Sequence, residues 1–273
     1  MKKTIIIIPV YKSLPNKYEE TSFKQCMNIL HDHPICLVTY KTLDIKYYTC
    51  LLQKFRVSFI IEYFNEYYFK NISGYNQLMI SKAFYQRFES YKYMLIYQLD
   101  AYVFRDELLY WCEKNYDYVG APWFTRHGCH EFGDTLWRVG NGGFSLRRIQ
   151  FFIDLLNRKR PVYGRKAIVG KHRLTTTGFS IKRLMLSVLY TLGYKNNIKY
   201  FIEQNNKPED IFYVDLLSNS LIKFNCPSPM EGIKFAFERS PQFLYKLNNR
   251  QLPFGCHAWD RYDFKFWKKF IQS

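Results

Sequence analysis

The feature that most constrains the fold is an unbroken apolar run, TIIIIPV, at residues 4–10. β-Branched residues favour strands, and a strand that is apolar at every position must be buried on both faces. The run therefore predicts a central strand of a parallel sheet. It superficially resembles a secretory signal, but it is short, contains Pro9, and continues into Tyr11 and Lys12 without a small-residue cleavage site.

Strands and helices alternate along the first half of the chain. Residue patterns predict strands at 35–39, 57–61, 93–99 and 117–120, and helices at 47–55 and 74–89. This alternation implies a mixed, mainly parallel α/β sheet flanked by helices, whose ligands bind at the carboxyl ends of the strands. Tyr11, Lys12 and Asp100 are therefore expected at one edge. The second half is less regular, and no linker divides the 273 residues, so one domain is predicted.

Charge and cysteine usage narrow the class of protein. The net charge of +17 favours an anionic partner, and nucleic acid, acidic headgroups and nucleotide phosphates all qualify. The seven cysteines are odd in number and form no CxxC pair, which argues against a disulfide framework or zinc ribbon and suits a reducing compartment. No apolar run is long enough to span a bilayer, so the sequence predicts a soluble or surface-bound protein.

Two motifs of the first 150 residues carry candidate functional groups. In YMLIYQLDAYVF, residues 93–104, a strand delivers Asp100 to the sheet edge, with Gln98 and Tyr102 two residues to either side. Asp100 could bind a divalent cation that bridges a diphosphate, or it could cap the next turn. In VGNGGFSLRR, residues 139–148, glycines around Asn141 allow close approach to a ligand, and Ser145 is predicted to begin a helix.

Two further motifs lie in the second half. In KPEDIFYVDLL, residues 207–217, Glu209 and Asp210 suit a helix N-terminus, and Asp210 could alternatively act as a general base on an acceptor hydroxyl. In PFGCHAWD, residues 253–260, His257 is a candidate ligand, although a lone histidine is more often structural.

The order of these motifs resembles that of GT-A glycosyltransferases: a strand-end Asp, a glycine loop, Glu-Asp and a late His. QLDAYVF, GAPW, GNGGFSLR, PEDIF and FGCHAW together are similar to an uncharacterised bacterial family of GT-A-like proteins found among surface-polysaccharide genes. The resemblance covers most of the chain. It implies a nucleotide-sugar-binding half at 1–125, an acceptor and catalytic half at 126–260, and a basic aromatic tail at 261–273.

The resemblance also implies roles for individual residues. Catalysis is expected from Asp210, the base of an inverting transfer, with Glu209 beside it. Metal binding, to Mn²⁺ or Mg²⁺, is expected from Asp100 and His257. The donor is expected at Pro9, Val10, Tyr11, Lys12, Lys82, Gln98, Asp100 and Tyr102. The cleft between donor and acceptor is expected at Trp123, Asn141, Gly142 and Gly143.

The expected activity is hexosyl or N-acetylhexosaminyl transfer from a nucleotide sugar, expected to be a UDP-sugar, to a glycan or lipid-linked acceptor in capsule or lipopolysaccharide synthesis. The expected location is the cytoplasm or the inner face of its membrane. The Asp-x-Asp element is incomplete, since Gln98 and Tyr102 flank Asp100. Metal binding is therefore an open question, and Lys12, Lys82 or Arg147 could neutralise the leaving diphosphate instead.

Two basic regions suggest a further partner. Residues 155–202 contain no Asp or Glu, and the basic residues Arg158, Lys159, Arg160, Arg165, Lys166, Lys171 and Arg173 lie among them. The tail WDRYDFKFWKKF interleaves aromatic and basic residues. Both suit an anionic membrane surface, and an acidic glycan or a merely solvated face are the alternatives.

Three other functions compete with glycosyl transfer. A basic nucleic-acid-binding protein would explain the charge, but no RNA- or DNA-binding module is recognisable and no nucleic-acid partner is expected. A nucleotidyltransferase would normally carry a glycine-rich loop after the first strand, and PVYKSLPNKY lacks the glycines. A catalytically inactive, glycan-binding relative would explain the incomplete Asp-x-Asp.

Overall fold

The computed structural model describes residues 2–125, 135–171 and 181–271. The strands are β1 (Lys2–Pro9), β2 (Ile35–Thr39), β3 (Phe59–Tyr63), β4 (Tyr91–Tyr97), β5 (Ala101–Val103), β6 (Tyr118–Val119), β7 (Pro122–Phe124), β8 (Leu136–Val139), β9 (Phe144–Arg148), β10 (Ala236–Phe237) and β11 (Gly255–His257). The helices are α1 (Lys17–Ile29), α2 (Lys46–Lys54), α3 (Ile72–Met79), α4 (Lys82–Gln86), α5 (Leu108–Glu113), α6 (Ile149–Asn157), α7 (Arg165–Lys171), α8 (Ile181–Thr191), α9 (Ile198–Glu203), α10 (Glu209–Leu217), α11 (Pro229–Phe235), α12 (Pro241–Leu247) and α13 (Phe264–Trp267). A 3₁₀ helix spans Glu66–Phe69.

The central sheet confirms the predicted fold class. Its six strands lie in the order β3-β2-β1-β4-β9-β6, and the first four are parallel. β9 runs antiparallel to both β4 and β6. Small sheets of three strands (β10-β11-β5) and two strands (β7-β8) lie beside it. Every residue of β2 is buried, so the strand predicted from the apolar run at 35–39 is confirmed with the same bounds.

Helices and loops bury both faces of the central sheet. Alternate residues of β1 separate into two cores, because successive side chains of a strand point to opposite faces. Ile6 and Ile8 join one apolar cluster with α1 and α2, whereas Ile5 and Ile7 join a second cluster with α3, α4 and α6. The sheet edge where β1 and β4 end is therefore held rigidly from both sides.

The helix predicted over residues 74–89 is two helices. α3 ends at Met79 and α4 begins at Lys82, with Ser81 between them in extended conformation. The Ser81 hydroxyl accepts a hydrogen bond from the Phe84 amide at 3.2 Å, which caps the new helix. A serine within the apolar pattern therefore restarts the helix.

The helix predicted to begin at Ser145 is wrong, because Ser145 lies within strand β9. Phe144 and Leu146 enter the cluster on the α1 side of the sheet. Ser145 and Arg147, which alternate with them, are also fully buried and hydrogen-bond to each other at 3.1 Å. The sequence pattern did not indicate a strand, because both faces of β9 are buried and one of them carries polar side chains.

Three large rings of the aromatic tail are buried. Trp259, Phe266 and Trp267 belong to a third buried cluster, together with Tyr102 of β5. Their rings pack inward against the β10-β11-β5 sheet, so they present no membrane-binding face. Within the described ranges, no helix has the length and apolar character needed to cross a bilayer.

Candidate functional site

The ends of β1 and β4 meet at one edge because the two strands are parallel neighbours. Pro9 and Val10 are buried there, and Val10 belongs to the core cluster. Tyr11 is 51% exposed. The Lys12 ammonium forms a 2.6 Å ion pair with Glu19, which also closes the capping box of α1.

Strand pairing brings Asp100 and His257 together. β5 begins directly after Asp100, and its antiparallel pairing with β11 sets His257 opposite Ala101. The His257 Nε2 atom lies 3.2 Å from Asp100 Oδ1. The other carboxylate oxygen of Asp100 contacts the Arg261 guanidinium. Two residues separated by more than 150 positions thus share one small polar cluster.

The glycine loop lies against this cluster. Asn141 adopts a left-handed conformation (φ 77°), and its side-chain oxygen accepts hydrogen bonds from the amides of Gly143 (2.9 Å) and Phe144 (3.1 Å). The Asn141 amide nitrogen lies 3.1 Å from His257 Nδ1. A Cβ atom at Gly143 would collide with the His257 imidazole, so glycine is required for this close approach.

Asp210 approaches the same loop from the other side. It lies in the first turn of α10, where its two carboxylate oxygens accept hydrogen bonds from the amides of Gly142 (3.1 Å) and Ile211 (2.8 Å). Burial raises the pKa of Asp210 above its usual 3.8, and the charge of Glu238 raises it further, while the amide hydrogen bonds oppose the rise. A partly exposed carboxylate with a raised pKa is suited to accept a proton.

Glu238, which sequence reasoning missed, completes the cluster. It directly follows β10, and its Oε1 atom lies 3.1 Å from His257 Nδ1. The two-residue strand before it is too short to give a pattern. The only sequence signal is an acid after the apolar pair Ala236-Phe237, which parallels Asp100 after β4.

Glu209 and Arg147 form a buried ion pair instead of facing the cleft. The Arg147 guanidinium donates to both Glu209 oxygens, at 2.7 and 3.2 Å, and both side chains are almost fully buried. Burial raises the pKa of Glu209 to about 7, and Arg147 opposes that rise. The Glu209 carboxylate and the Arg147 guanidinium therefore hold α10 against β9, and neither is available to a diphosphate or an acceptor.

The remaining predicted site residues are Gln98, Trp123, Tyr102 and Lys82. Gln98 lies in the cluster, since its Oε1 atom is 3.3 Å from His257 Nε2. Trp123 borders the glycine loop, because a Cβ atom at Gly140 would collide with its ring. Tyr102 is only 7% exposed and packs against Trp259, so little of its ring is accessible to a donor. Lys82 is exposed at the start of α4.

The described residues contain no group of three or more His, Cys, Asp or Glu side chains arranged to hold a metal ion. The pair Asp100–His257 nevertheless fits a cation that also takes phosphate and water oxygens. Asp100 would supply a carboxylate oxygen and His257 an imidazole nitrogen to such a cation, and these two atoms are 3.2 Å apart.

The architecture is that of GT-A-type glycosyltransferases, as the sequence resemblance implied. Over all of this chain, the fold is similar to the apo form of the glycosyltransferase GlyE of Streptococcus pneumoniae TIGR4, with a TM-score of 0.52 and 12% identity. This chain covers 61% of the GlyE chain. Residues 58–257 match the model of DUF5672, a protein family of unknown function. The chain belongs to that family, because the match includes most of its length.

Two other solved structures are similar at lower scores. One is the core-mannan synthase CmsA/Ktr4 of Aspergillus fumigatus in its Mn/GDP form (TM-score 0.43, 10% identity, covering 80% of this chain and 70% of that one). The other is a glycosyltransferase involved in the glycosylation of the major capsid of PBCV-1 (TM-score 0.41, 9% identity, covering 93% of each chain). No curated protein matches this chain in sequence.

Proposed function

We propose that the protein is a glycosyltransferase that moves a sugar from a nucleotide-sugar donor to an acceptor hydroxyl with inversion of configuration. The observation that carries the proposal is the convergence of Asp100, His257, Glu238 and Asp210 around the glycine loop. These residues come from distant parts of the sequence. Their meeting at the carboxyl-end edge of a sheet that is similar to that of GlyE supports a donor and acceptor site there.

The donor diphosphate is proposed to bind between Asp100 and Arg261. Asp100 and His257 would hold a Mn²⁺ or Mg²⁺ ion, whose charge would neutralise the diphosphate as it leaves. The Arg261 guanidinium, already in contact with Asp100, is 59% exposed and carries a second positive charge at this position. Lys12 is less available because of its ion pair with Glu19.

A cavity at the same edge of the central sheet could hold the donor nucleoside. A cavity of about 440 Å³ lies beyond the ends of β2 and β3, lined by Tyr40, Lys41, Thr42, Tyr63, Phe64, Asn65, Glu66 and Arg87. Aromatic rings there could stack on a planar base, and the polar groups could hydrogen-bond to it. Of the nucleotide donors, we propose a UDP-sugar.

Asp210 is proposed to be the catalytic base. It takes the proton of the acceptor hydroxyl, whose oxygen forms a new bond to the anomeric carbon. The bond from that carbon to the diphosphate oxygen breaks, and the nucleoside diphosphate leaves with the electron pair. Glu238 raises the pKa of Asp210 and thereby makes it a stronger base. Gly142 fixes the carboxylate through its amide.

The remaining details rest on the sequence resemblance alone. We propose a hexose or N-acetylhexosamine as the transferred sugar, and a glycan or lipid-linked acceptor in capsule or lipopolysaccharide synthesis. The enzyme would act in the cytoplasm, where nucleotide sugars and the inner face of the membrane are both accessible.

The first test is a thermal-shift screen against UDP-, GDP-, CMP- and dTDP-sugars, with and without Mn²⁺. A ligand of the folded state raises stability by about 2.7 kcal/mol at 100 times its dissociation constant. A selective shift that disappears in Asp100→Ala supports a donor site. No shift with any sugar nucleotide, alongside a large shift with an oligonucleotide, would favour nucleic-acid binding instead.

The second test separates catalysis from binding. With the donor identified, Asp210→Asn should lower kcat by about 100- to 10,000-fold while donor binding persists. Asp215→Asn is the matched control, because Asp215 lies on the same helix and pairs with Lys207 at the surface. NMR of the product should show an inverted anomeric centre. A retained configuration, or full activity of Asp210→Asn, contradicts the assigned base.

A further inference from the structure

Helix α8 presents an apolar face to solvent. The side chains of this face are 45–75% exposed and recur at spacings of three and four residues: Leu184, Met185, Val188, Leu189 and, directly after the helix, Leu192. On the opposite side of the helix, Ser187 and Tyr190 are buried. A contiguous stripe of five large apolar side chains differs from the single exposed apolar residues that are normal on a protein surface.

The stripe is held rigidly. After α8, the Asn196 side chain donates to the carbonyls of Tyr163 (2.8 Å) and Tyr190 (2.9 Å) and accepts from the Tyr163 amide (2.9 Å). The Tyr163 hydroxyl in turn donates to the Leu216 carbonyl of α10 at 2.8 Å. The exposed face is thus fixed to the helix that carries Asp210.

The surroundings of the stripe are positively charged. No Asp or Glu occurs between residues 155 and 202. Arg160 is exposed and directly precedes Pro161, which lies beside Gly193 at the end of the stripe. Arg165 of α7 is also exposed, but its 3.2 Å hydrogen bond to Ser187 is on the side of α8 opposite the stripe. Lys159, Arg160, Lys166 and Lys199 are exposed in the same segment. An apolar stripe among basic residues suits an anionic lipid surface.

We propose that this face of α8 docks on an anionic membrane, with its apolar side chains among the acyl chains and the neighbouring basic groups at the lipid phosphates. A second copy of the chain is a poorer occupant, because each copy carries a net charge of +17. The docking surface is distinct from the aromatic tail, whose Trp259, Phe266 and Trp267 rings are in the core. The proposal does not depend on glycosyl transfer, since docking requires no donor.

The test is cosedimentation of the full chain with vesicles of phosphatidylglycerol and phosphatidylcholine, compared with phosphatidylcholine alone. We expect binding to the anionic vesicles that falls about tenfold or more at high salt. The triple variant Leu184→Ser/Val188→Ser/Leu192→Ser should bind about tenfold or more weakly. Circular dichroism and the thermal unfolding midpoint establish that each variant is folded.

The matched control removes equally exposed apolar residues from three other helices. The variant Ile72→Ser/Leu109→Ser/Met230→Ser should bind anionic vesicles like the wild type, because these residues lie on α3, α5 and α11. Equal loss in both triple variants overturns the proposal, as does equal binding to neutral vesicles. A wild-type dimer in sedimentation experiments that becomes a monomer in the α8 variant would assign the face to self-association and also overturn it.

Discussion

Because Arg147 and Glu209 form a buried ion pair, we expect the substitutions Glu209→Gln and Arg147→Met to destabilise the fold in different ways. Removing one partner of a buried pair typically costs about 3–5 kcal/mol, because the other charge is left uncompensated. Arg147 is fully buried, and Glu209 is 2% exposed. In Glu209→Gln the amide nitrogen faces guanidinium N–H groups, and an arginine cannot escape by losing its proton. We expect this variant to lose about 3–5 kcal/mol of unfolding free energy.

Arg147→Met should behave differently with pH. Burial already raises the pKa of Glu209 to about 7 with the guanidinium present, so removal of Arg147 raises it further. The folded variant then keeps a proton that the unfolded chain releases above pH 4.5. Its stability is fully present below that pH and falls as pH rises, by up to about 1.4 kcal/mol per pH unit.

Urea unfolding followed by circular dichroism measures both effects, provided that the slope of free energy against denaturant is unchanged. The double variant should lose less than the sum of the single losses, with a coupling of about 0.5–3 kcal/mol. A loss below about 1 kcal/mol in Glu209→Gln would refute the reasoning, and so would additive losses. Either result would show that the two charges do not stabilise the fold as a pair.

Three further predictions concern the polar cluster. Gly143→Ala should weaken donor binding about tenfold or more, because its methyl group displaces the His257 imidazole; unchanged affinity in calorimetry would contradict this. Glu238→Gln should move the acidic limb of the pH–rate profile to lower pH, because loss of this negative charge lowers the pKa of Asp210; a limb that stays in place would show that the two carboxylates do not interact. Asp100→Asn should weaken Mn²⁺-dependent donor binding by about 10- to 100-fold, and wild-type cation dependence in the same titration would exclude Asp100 as a ligand.

The sequence predicted most reliably those elements whose burial is visible in every residue. The continuous apolar runs at 4–10 and 35–39 correspond to β1 and β2, because strands covered on both faces need apolar side chains throughout. The strand predicted at 57–61 is displaced, since Phe59–Tyr63 is only partly buried at the sheet edge. Edge strands give a weaker hydrophobic pattern, because they have a neighbouring strand on one side only and are therefore less buried.

The polar part of the candidate site was predicted only in part. Asp100, His257 and Asp210 came from motif order, which long-range strand pairing and α10 then bring together. Glu238 was missed as a site residue because it lies in no motif, and Arg261 because it was assigned to the basic aromatic tail. The positions of both depend on short strands and turns near the C-terminus. A buried charge such as Arg147 is equally invisible, because its partner is 62 residues away.

The incomplete Asp-x-Asp element has a consistent physical explanation. Gln98 and Tyr102 flank Asp100 in sequence, but only Gln98 lies within the cluster, since Tyr102 is in the core. A neutral amide therefore stands where a second carboxylate would add negative charge. Arg261 neutralises Asp100, the one carboxylate that the Asp-x-Asp element retains. With less negative charge to balance, the site can attract a diphosphate through Arg261 as well as through a cation, so we expect metal to strengthen donor binding without being indispensable.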